Sequence, residues 1–171
     1  MPDTSATRDW QARLSERLQA VGAQAPATSW LAVESAGRGF LLPLREAGEI
    51  FAAVPLLPVA HTKPWFLGVA NLRGGLHGVV DLAAFLGLTR PGAGRDGVRW
   101  VAFGAALDIN GALQVDKLAG LRGAERMAAL PAAAGAPAFA GPRWRDDRGR
   151  VWQELRLVAL ARDEAFLAIA A

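Results

Sequence analysis

The stretch Trp65-Phe66-Leu67-Gly68-Val69-Ala70-Asn71-Leu72-Arg73-Gly74-Gly75-Leu76-His77-Gly78-Val79-Val80-Asp81-Leu82 places one polar corner between two apolar runs. Short apolar runs bounded by Gly and Asn predict strands over residues 66–71 and 76–80. Glycines allow the backbone to turn sharply between them. The corner carries Arg73, whose guanidinium is a permanently charged fork with five hydrogen-bond donors. We expect this corner to recognise another molecule, because no residue beside it is equipped to cleave or transfer a chemical group.

The rest of the chain also predicts short strands joined by tight turns. Ala36-Gly37-Arg38-Gly39 predicts a hairpin turn, and Asn110-Gly111 predicts a second one because both residues tolerate a positive φ. Gly87 closes a short helix that begins at Leu82, and Asp163 caps a last helix. Further strands are predicted at residues 31–33, 40–42, 98–103, 107–109, 112–115 and 151–160. Because of Pro55 and Pro58, the apolar residues 50–57 are predicted to be either a strand at a sheet edge or a loop. The Pro-interrupted stretch 128–142 is predicted to be a loop. Many short strands at short intervals favour one or two small barrels.

The first 28 residues differ from the rest of the chain. Trp10, Leu14, Leu18 and Val21 recur at helical spacing and lie on one helix face. The sequence therefore divides into an N-terminal helix with a linker, residues 1–28, and a β-rich domain, residues 29–171. The helix packs against its own domain in the simpler interpretation, whereas the alternative is a docking helix for a partner.

Composition limits the function classes. The chain has 171 residues, 52% of them hydrophobic, a net charge of +3 and no Cys. These values favour a folded domain, and the lack of Cys excludes disulfides and thiolate catalysis. A small, scattered excess of Arg is weak evidence for nucleic-acid binding, which usually uses a clustered basic face. We also expect no signal peptide and no membrane insertion, because neither segment type is visible in the sequence.

Catalytic and metal-binding patterns are also missing from the sequence. None of the four Ser residues lies in a Gly-x-Ser-x-Gly elbow. The best candidate for a metal site combines His61, His77 and Asp81, but two His residues without a ligand pattern are usually ordinary surface or turn residues. Neighbouring carboxylates such as Asp146 and Asp147 fit solvated turns. We therefore expect no catalytic residue, cofactor or metal, and no enzymatic activity.

One alternative function class comes from the basic segment Arg143–Arg150. Its arginines alternate with Trp144, and Trp152 follows closely, so a small barrel could stack single-stranded nucleic acid there. Asp146 and Asp147 offset half of that charge, as is usual in a solvated hairpin turn. A single-stranded nucleic-acid-binding protein is the alternative to a protein-recognition module.

The opening stretch resembles the CheW-like domain, the adaptor module of bacterial chemosensory arrays. The positions that match its motif are Pro64, Phe66, Leu67, Gly68, Val69, Asn71, Leu72, Arg73, Gly74, Val79, Val80, Asp81 and Leu82, and Val115-Asp116-Lys117-Leu118 resembles a later segment. This resemblance implies an all-β fold with short flanking helices, in which two five-stranded SH3-like barrels share one hydrophobic core. It also implies a cytoplasmic adaptor, associated with membrane-bound arrays, that couples the cytoplasmic tip of a methyl-accepting chemoreceptor to the regulatory domain of a CheA-like histidine kinase.

The resemblance also suggests which residues contact these partners. Arg73 is the strongest candidate, although a structural role, with its side chain bonded to backbone carbonyls or to Asp81, is the alternative. Glu49 and Ile50 match a Glu-Ile pair that is linked to partner contacts in the family. His77-Gly78 departs from the family pattern, in which an apolar residue and Pro are frequent. The full predicted contact set is Arg73, Asn71, Leu72, Gly74, Glu49, Ile50, Leu67, Val69, Val79 and Val80.

Within the family, the chain is most similar to PilI-type adaptors of type IV pilus (twitching motility) systems. Two segments support this: residues 42–50, with the sequence Leu-Pro-Leu-Arg-Glu-Ala-Gly-Glu-Ile, and residues 65–74, with the version of the motif that begins Trp-Phe-Leu-Gly-Val-Ala. The similarity implies control of pili, although adaptors of flagellar systems share the Asn-Leu-Arg-Gly core. The predicted function is therefore a non-enzymatic chemosensory adaptor.

Overall fold

The computed structural model describes residues 12–16, 28–92 and 96–171. Of the predicted N-terminal helix, residues 12–16 are helical (α1), while Trp10, Leu18 and Val21 lie outside the described residues. The strands are β1 (Ser29–Ser35), β2 (Arg38–Pro43), β3 (Ala47–Ala52), β4 (Phe66–Leu72), β5 (Gly75–Asp81), β6 (Arg99–Phe103), β7 (Gly111–Val115), β8 (Lys117–Gly123), β9 (Met127–Leu130), β10 (Ala140–Asp146) and β11 (Val151–Leu155). The later helices are α2 (Leu82–Phe85), α3 (Leu157–Leu160) and α4 (Glu164–Leu167), and Ala105–Leu107 and Ala124–Arg126 form 3-10 turns.

The strands form two sheets. The six-stranded sheet has the order β8-β1-β2-β11-β10-β9 and contains both the first and the last strands of the domain. The five-stranded sheet has the order β3-β6-β7-β5-β4 and is built from the middle of the chain. The predicted mostly-β fold with short helices and two strand units is confirmed, and one unit has six strands where five were expected.

A single hydrophobic core joins the two sheets. In β1, Leu31 and Val33 face this shared core, whereas Trp30 packs into a separate cluster within the six-stranded sheet. In β6, Val101 likewise faces the shared core, whereas Trp100 packs into the interior of the five-stranded sheet. Because both faces of these strands are buried, their sequences are nearly continuous apolar runs rather than alternating ones. The shared core predicted from the resemblance is confirmed.

Several local predictions are confirmed. Ala36 and Gly37 have positive φ values of 51° and 73° and form the turn between β1 and β2. Gly87, with φ at 69°, follows α2. The Asp163 side chain accepts a hydrogen bond from the Phe166 backbone N at 3.0 Å and so caps α4. Each of these features depends on a few neighbouring residues, which explains why the sequence predicts them.

Two predictions for the second half of the chain are wrong. Asn110-Gly111 does not form a hairpin turn, because the chain already reverses at the 3-10 turn before Asp108, whose φ is 51°. Gly111 instead begins β7, which pairs with β5 and β6. The stretch 128–142 is not all loop, because it contains β9 and the start of β10.

The predicted long strand 151–160 is also wrong. It ends at Leu155, and α3 then begins at Leu157. Glu46, 111 residues earlier in the chain, causes this change. Its Oε2 accepts hydrogen bonds from the backbone N of Leu157 at 2.7 Å and of Val158 at 3.2 Å. A carboxylate there satisfies N–H groups that have no partner within the helix. No local pattern of residues 151–160 contains this information.

Arg90 links the two sheets. Its two terminal nitrogens each donate to one carboxylate oxygen of Asp81 at 2.7 Å, and its Nε donates to Asp116 at 2.9 Å. Asp81 ends β5, while Asp116 joins β7 to β8 and accepts from the backbone N of Ala36 at 2.8 Å. The hydrogen bonds to Asp81 are the main reason that the pKa of Arg90 is raised above its usual value. The two motif aspartates therefore meet on one cation that sequence reasoning did not identify.

Asp146 is expected to make the stability of the folded protein depend on pH. It accepts hydrogen bonds from the Trp152 Nε1 at 2.9 Å and from the backbone N of Arg148 and Arg150 at 3.0 and 2.9 Å. The hydrogen bond from Trp152, followed by those from the backbone, lowers the pKa of Asp146 below its usual value. A lowered pKa in the folded state adds stability above the pKa of the unfolded state, about 4, and this stability is lost as the pH falls through the folded-state pKa.

We therefore expect Asp146→Asn to destabilise the protein more at pH 7 than at pH 3. Urea unfolding of both proteins across this range measures the difference. If the difference between their free energies of unfolding does not change with pH, the lowered pKa of Asp146 in the folded state is contradicted.

Candidate functional site

The β4–β5 hairpin presents Arg73 at its tip. Leu72 pairs with Gly75, so Arg73 and Gly74 form a two-residue loop, with positive φ values of 49° and 79°. Positive φ at both positions is the signature of a type I′ turn, which matches the twist of the strands that it joins. The Asn71 Oδ1 accepts a hydrogen bond from the Gly74 backbone N at 2.9 Å and stabilises this turn. The hairpin predicted over residues 66–80 is therefore confirmed.

Arg73 forms an ion pair with Glu49. Its terminal nitrogen lies 2.5 Å from the Glu49 Oε1, and the two side chains are 75% and 36% exposed. Glu49 lies on β3, and β3 and β4 are the two outer strands of the five-stranded sheet. The fold therefore brings together two residues of the predicted contact set that are 24 positions apart. The alternative pairing of Arg73 with Asp81 does not occur, because the Asp81 carboxylate binds Arg90.

Apolar side chains lie next to this pair. Leu57 forms an antiparallel bridge with Val69 and is 68% exposed. Leu76, which is 65% exposed, lies opposite Asn71 in the hairpin. Because alternate residues of a strand share a face, Val69 and Asn71 point away from the buried Ala70. We call the surface formed by Glu49, Leu57, Val69, Asn71, Arg73 and Leu76 the hairpin surface.

Three predicted contact residues cannot reach a partner. Val79 is fully buried, and Leu72 and Val80 are 3% and 4% exposed. Leu72 and Val79 fill the interior of the five-stranded sheet, while Val80 belongs to the shared core. Their assignment as contact residues is corrected: they support the hairpin from within. The apolar run in the sequence does not distinguish the two faces, because both faces of β5 are apolar at this point.

The remaining residues of the predicted contact set that lie outside the hairpin surface are exposed or half-buried. Gly74 is exposed at the turn. Leu67 is half-buried against the interior of the five-stranded sheet, and Ile50 is half-buried against the shared core. Sequence reasoning missed Leu57 and Leu76. Counting the register back from a two-residue turn would have placed Leu76 opposite Asn71, whereas no sequence signal places Leu57 beside Val69.

The candidate metal residues do not form a site. His77 lies in the hairpin, where its Nδ1 is 3.0 Å from the carbonyl oxygen of Gly75, and Asp81 is engaged by Arg90. His61 lies in a separate loop with a φ of 57°. Across the part of the chain that the structure describes, no three His, Asp or Glu residues are grouped as metal ligands. Gly78, the other departure from the family pattern, leaves room for the Phe66 ring, which would lie 3.0 Å from an added Cβ.

The aromatic residues of the basic segment do not form a stacking platform. Trp152 is 1% exposed, and its ring is covered by the guanidinium groups of Arg122 and Arg150, at 5.4 and 4.4 Å. Trp144 packs against Trp30 at a ring-centroid distance of 4.7 Å. Stacking of bases requires accessible ring faces. The burial of Trp152 and the packing of the half-buried Trp144 against Trp30 therefore count against the alternative of a nucleic-acid-binding barrel.

Comparison with known proteins agrees with this geometry. The family model of the CheW-like domain matches residues 29–165. Protein PilI from Pseudomonas aeruginosa is 31% identical over 110 residues, which are 64% of this chain and 61% of that protein. The chain thus spans 61% of the length of this relative. The crystal structure of the scaffolding protein TtCheW from Thermoanaerobacter tengcongensis superposes with a TM-score of 0.64 at 19% identity, covering 76% of this chain and 89% of that one.

Proposed function

The chain belongs to the CheW-like domain family, and on this basis we propose that it is a non-enzymatic adaptor that couples a chemoreceptor to a CheA-like histidine kinase. One observation carries this proposal: an exposed Arg73–Glu49 ion pair lies beside the exposed apolar side chains of the hairpin surface. Arginine is enriched among the residues that dominate protein–protein binding, and exposed apolar side chains that lie together mark interaction surfaces. The similarity to PilI supports a role in a type IV pilus system.

The hairpin surface is suited to the cytoplasmic tip of a receptor or to the regulatory domain of the kinase. Leu57, Val69 and Leu76 supply apolar contact area. Arg73 fixes the orientation of the partner, because its remaining donors can bind a partner carboxylate. Glu49 holds the guanidinium near the sheet before the partner arrives. Such an adaptor works by fixing the geometry of its partners and would lie beside receptors at the inner face of the membrane. No helix among the described residues is long and apolar enough to cross a membrane.

We expect Arg73→Glu to weaken partner binding by about tenfold or more, because the guanidinium is lost and a repulsive carboxylate then lies beside Glu49 at the tip of the hairpin. Titration calorimetry with the tip fragment of a co-encoded receptor, and with the regulatory domain of the co-encoded kinase, measures this loss. Arg45→Glu is the matched control, since Arg45 is an exposed arginine in the β2–β3 turn. Failure of the unchanged protein to bind either partner, together with salt-sensitive binding of single-stranded nucleic acid, would contradict the adaptor function.

The double variant Glu49→Arg/Arg73→Glu separates a contact from a structural role. It restores an ion pair within the chain, and because both side chains are exposed, its stability should lie within about 1 kcal/mol of the original. If Arg73 contacts a partner, binding remains weak in the double variant. Recovery of binding would show instead that the pair acts only within the adaptor.

A further inference from the structure

One face of the six-stranded sheet continues from the shared core into solvent. Val33 and Phe40 pair across β1 and β2 on this face and are buried in the core. Residues that lie opposite each other on neighbouring strands share a face, and alternate residues of one strand do so too. The strand register therefore shows that the same face carries Arg38, Ala128, Leu130, Arg143, Arg145, Val151 and Gln153.

The sheet separates its charges between its two faces. Arg38, Arg143 and Arg145 all lie on the face that continues from the core. The acids in the six strands of this sheet, all of which the structure describes, alternate onto the opposite face and are Glu34, Asp146 and Glu154. Each acid is engaged there, because the three carboxylates accept hydrogen bonds from Arg150, Trp152 and Trp144 in turn. The face with the three arginines therefore has no acid of its own.

We call the surface formed by Arg38, Arg143, Arg145 and Val151 the arginine face. Arg38 and Arg145 are exposed, and Val151 between them is 42% exposed. Arg143 is half-buried and donates two hydrogen bonds to the carbonyl oxygen of Pro131, at 3.2 and 3.3 Å. Because β11 separates β2 from β10, the backbones at Arg38 and Arg145 are about 10 Å apart. Both long side chains can therefore reach one ligand over Val151.

The acids of the neighbouring turns do not neutralise this face. The β10–β11 turn carries Asp147, but it also carries Arg148. Asp116 accepts a hydrogen bond from Ala36 in the β1–β2 turn, but its carboxylate also binds Arg90. None of the ion pairs found among the described residues includes an arginine of this face. The positive charge of the arginine face is thus left for a ligand.

We propose that the arginine face binds an acidic helix of a partner protein. Exposed sheet faces are typically covered by a helix or by a second sheet. Acids three and four residues apart lie on one side of a helix, so a single helix can offer carboxylates to Arg38 and Arg145 together. Hydrogen bonds from arginine to carboxylate are charge-assisted and can be bidentate. Val151 supplies an apolar contact at the centre.

The side chains around the arginines favour a protein ligand over nucleic acid. Ala128, Leu130 and Val151 are apolar, and Phe40, the aromatic residue on this face of the strands, is buried and cannot stack on bases. A second copy of the chain does not supply the ligand, because each helix among the described residues contains at most one acid. The arginine face belongs to the six-stranded sheet and does not rest on the function proposed for Arg73.

The test uses a fluorescently labelled, Ala-rich peptide of about 18 residues, long enough for an isolated helix, with Glu at three- and four-residue spacing on one side. A control peptide replaces Glu with Lys. Anisotropy should show binding of the Glu peptide alone. Arg145→Glu should weaken this binding by about tenfold. Arg162→Glu makes the same change of charge at an exposed arginine between α3 and α4 and should leave the affinity unchanged.

Reversing the charge of the face provides a second test. The double variant Arg38→Glu/Arg145→Glu should lose the Glu peptide and bind the Lys peptide instead. NMR spectra of the unchanged protein with the Glu peptide should show shifted amide signals at Arg38, Arg145 and Val151. Thermal unfolding verifies that each variant is folded.

Four results would overturn the proposal. They are no binding of the Glu peptide at about 1 mM, equal binding of both peptides, unchanged affinity in Arg145→Glu, and tighter binding of single-stranded DNA or of vesicles with anionic lipid than of the Glu peptide. Arg73→Glu should bind the Glu peptide normally. A failure of the arginine face and a failure of the hairpin surface therefore give different results.

Discussion

Replacing Gly68 with Ala is expected to destabilise the protein by about 3 kcal/mol or more, the upper range for a residue forced into a glycine-only conformation. Gly68 has a φ of 135°, and an added Cβ would overlap the carbonyl oxygen of Leu57. The Leu57 backbone exchanges two hydrogen bonds with Val69, at 2.8 and 2.9 Å. The new methyl group must therefore separate the segments that position the apolar part of the hairpin surface.

Gly74→Ala is the matched control for this prediction. Gly74 belongs to the same motif and also has a positive φ, 79°, but no atom lies within 4 Å of an added Cβ. Only the left-handed conformation opposes Ala there, which costs about 1–2 kcal/mol. Urea unfolding of both variants measures the contrast. Equal losses would show that conformation alone, and not the approach of Leu57, requires glycine at position 68.

Arg90→Ala is expected to destabilise the protein by about 3 kcal/mol, because removing one member of a buried ionic network leaves charge without a partner. Asp81 is only 7% exposed, and Asp116 is 28% exposed. Without Arg90, two carboxylates face each other where the two sheets join. Chemical denaturation measures the loss in the free energy of unfolding.

Arg90→Lys distinguishes charge from geometry in this network. Lysine keeps the positive charge but lacks the planar fork that binds both oxygens of Asp81 while reaching Asp116. We expect an intermediate loss of stability. Arg45→Ala, at an exposed arginine, should change the stability by less than about 0.5 kcal/mol. A loss in Arg90→Ala no larger than in this control would show that the network does not stabilise the fold.

The sequence determined the features that depend on neighbouring residues. The hairpin tip could be predicted because Asn71 and two glycines lie between two apolar runs, and Gly74 readily takes the positive φ that a type I′ turn requires. The positive φ of Arg73, 49°, is not predicted by its residue type. The cap at Asp163 is similarly local. Hydrophobic runs predicted most of the strands. The motif from Pro64 to Leu82 then indicated the family, and with it the two strand units around one core.

Only the tertiary structure decided which residues meet across long stretches of chain. Glu49 pairs with Arg73, and Glu46 caps α3, although each pair is far apart in the sequence. Leu57 is exposed beside the distant Val69. No spacing of residues in the sequence predicts such contacts. For the same reason, the sequence did not decide which apolar residues are buried. Strands that lie between a sheet interior and a shared core are apolar on both faces, so Val79 resembles a contact residue in the sequence although packing places it in the interior.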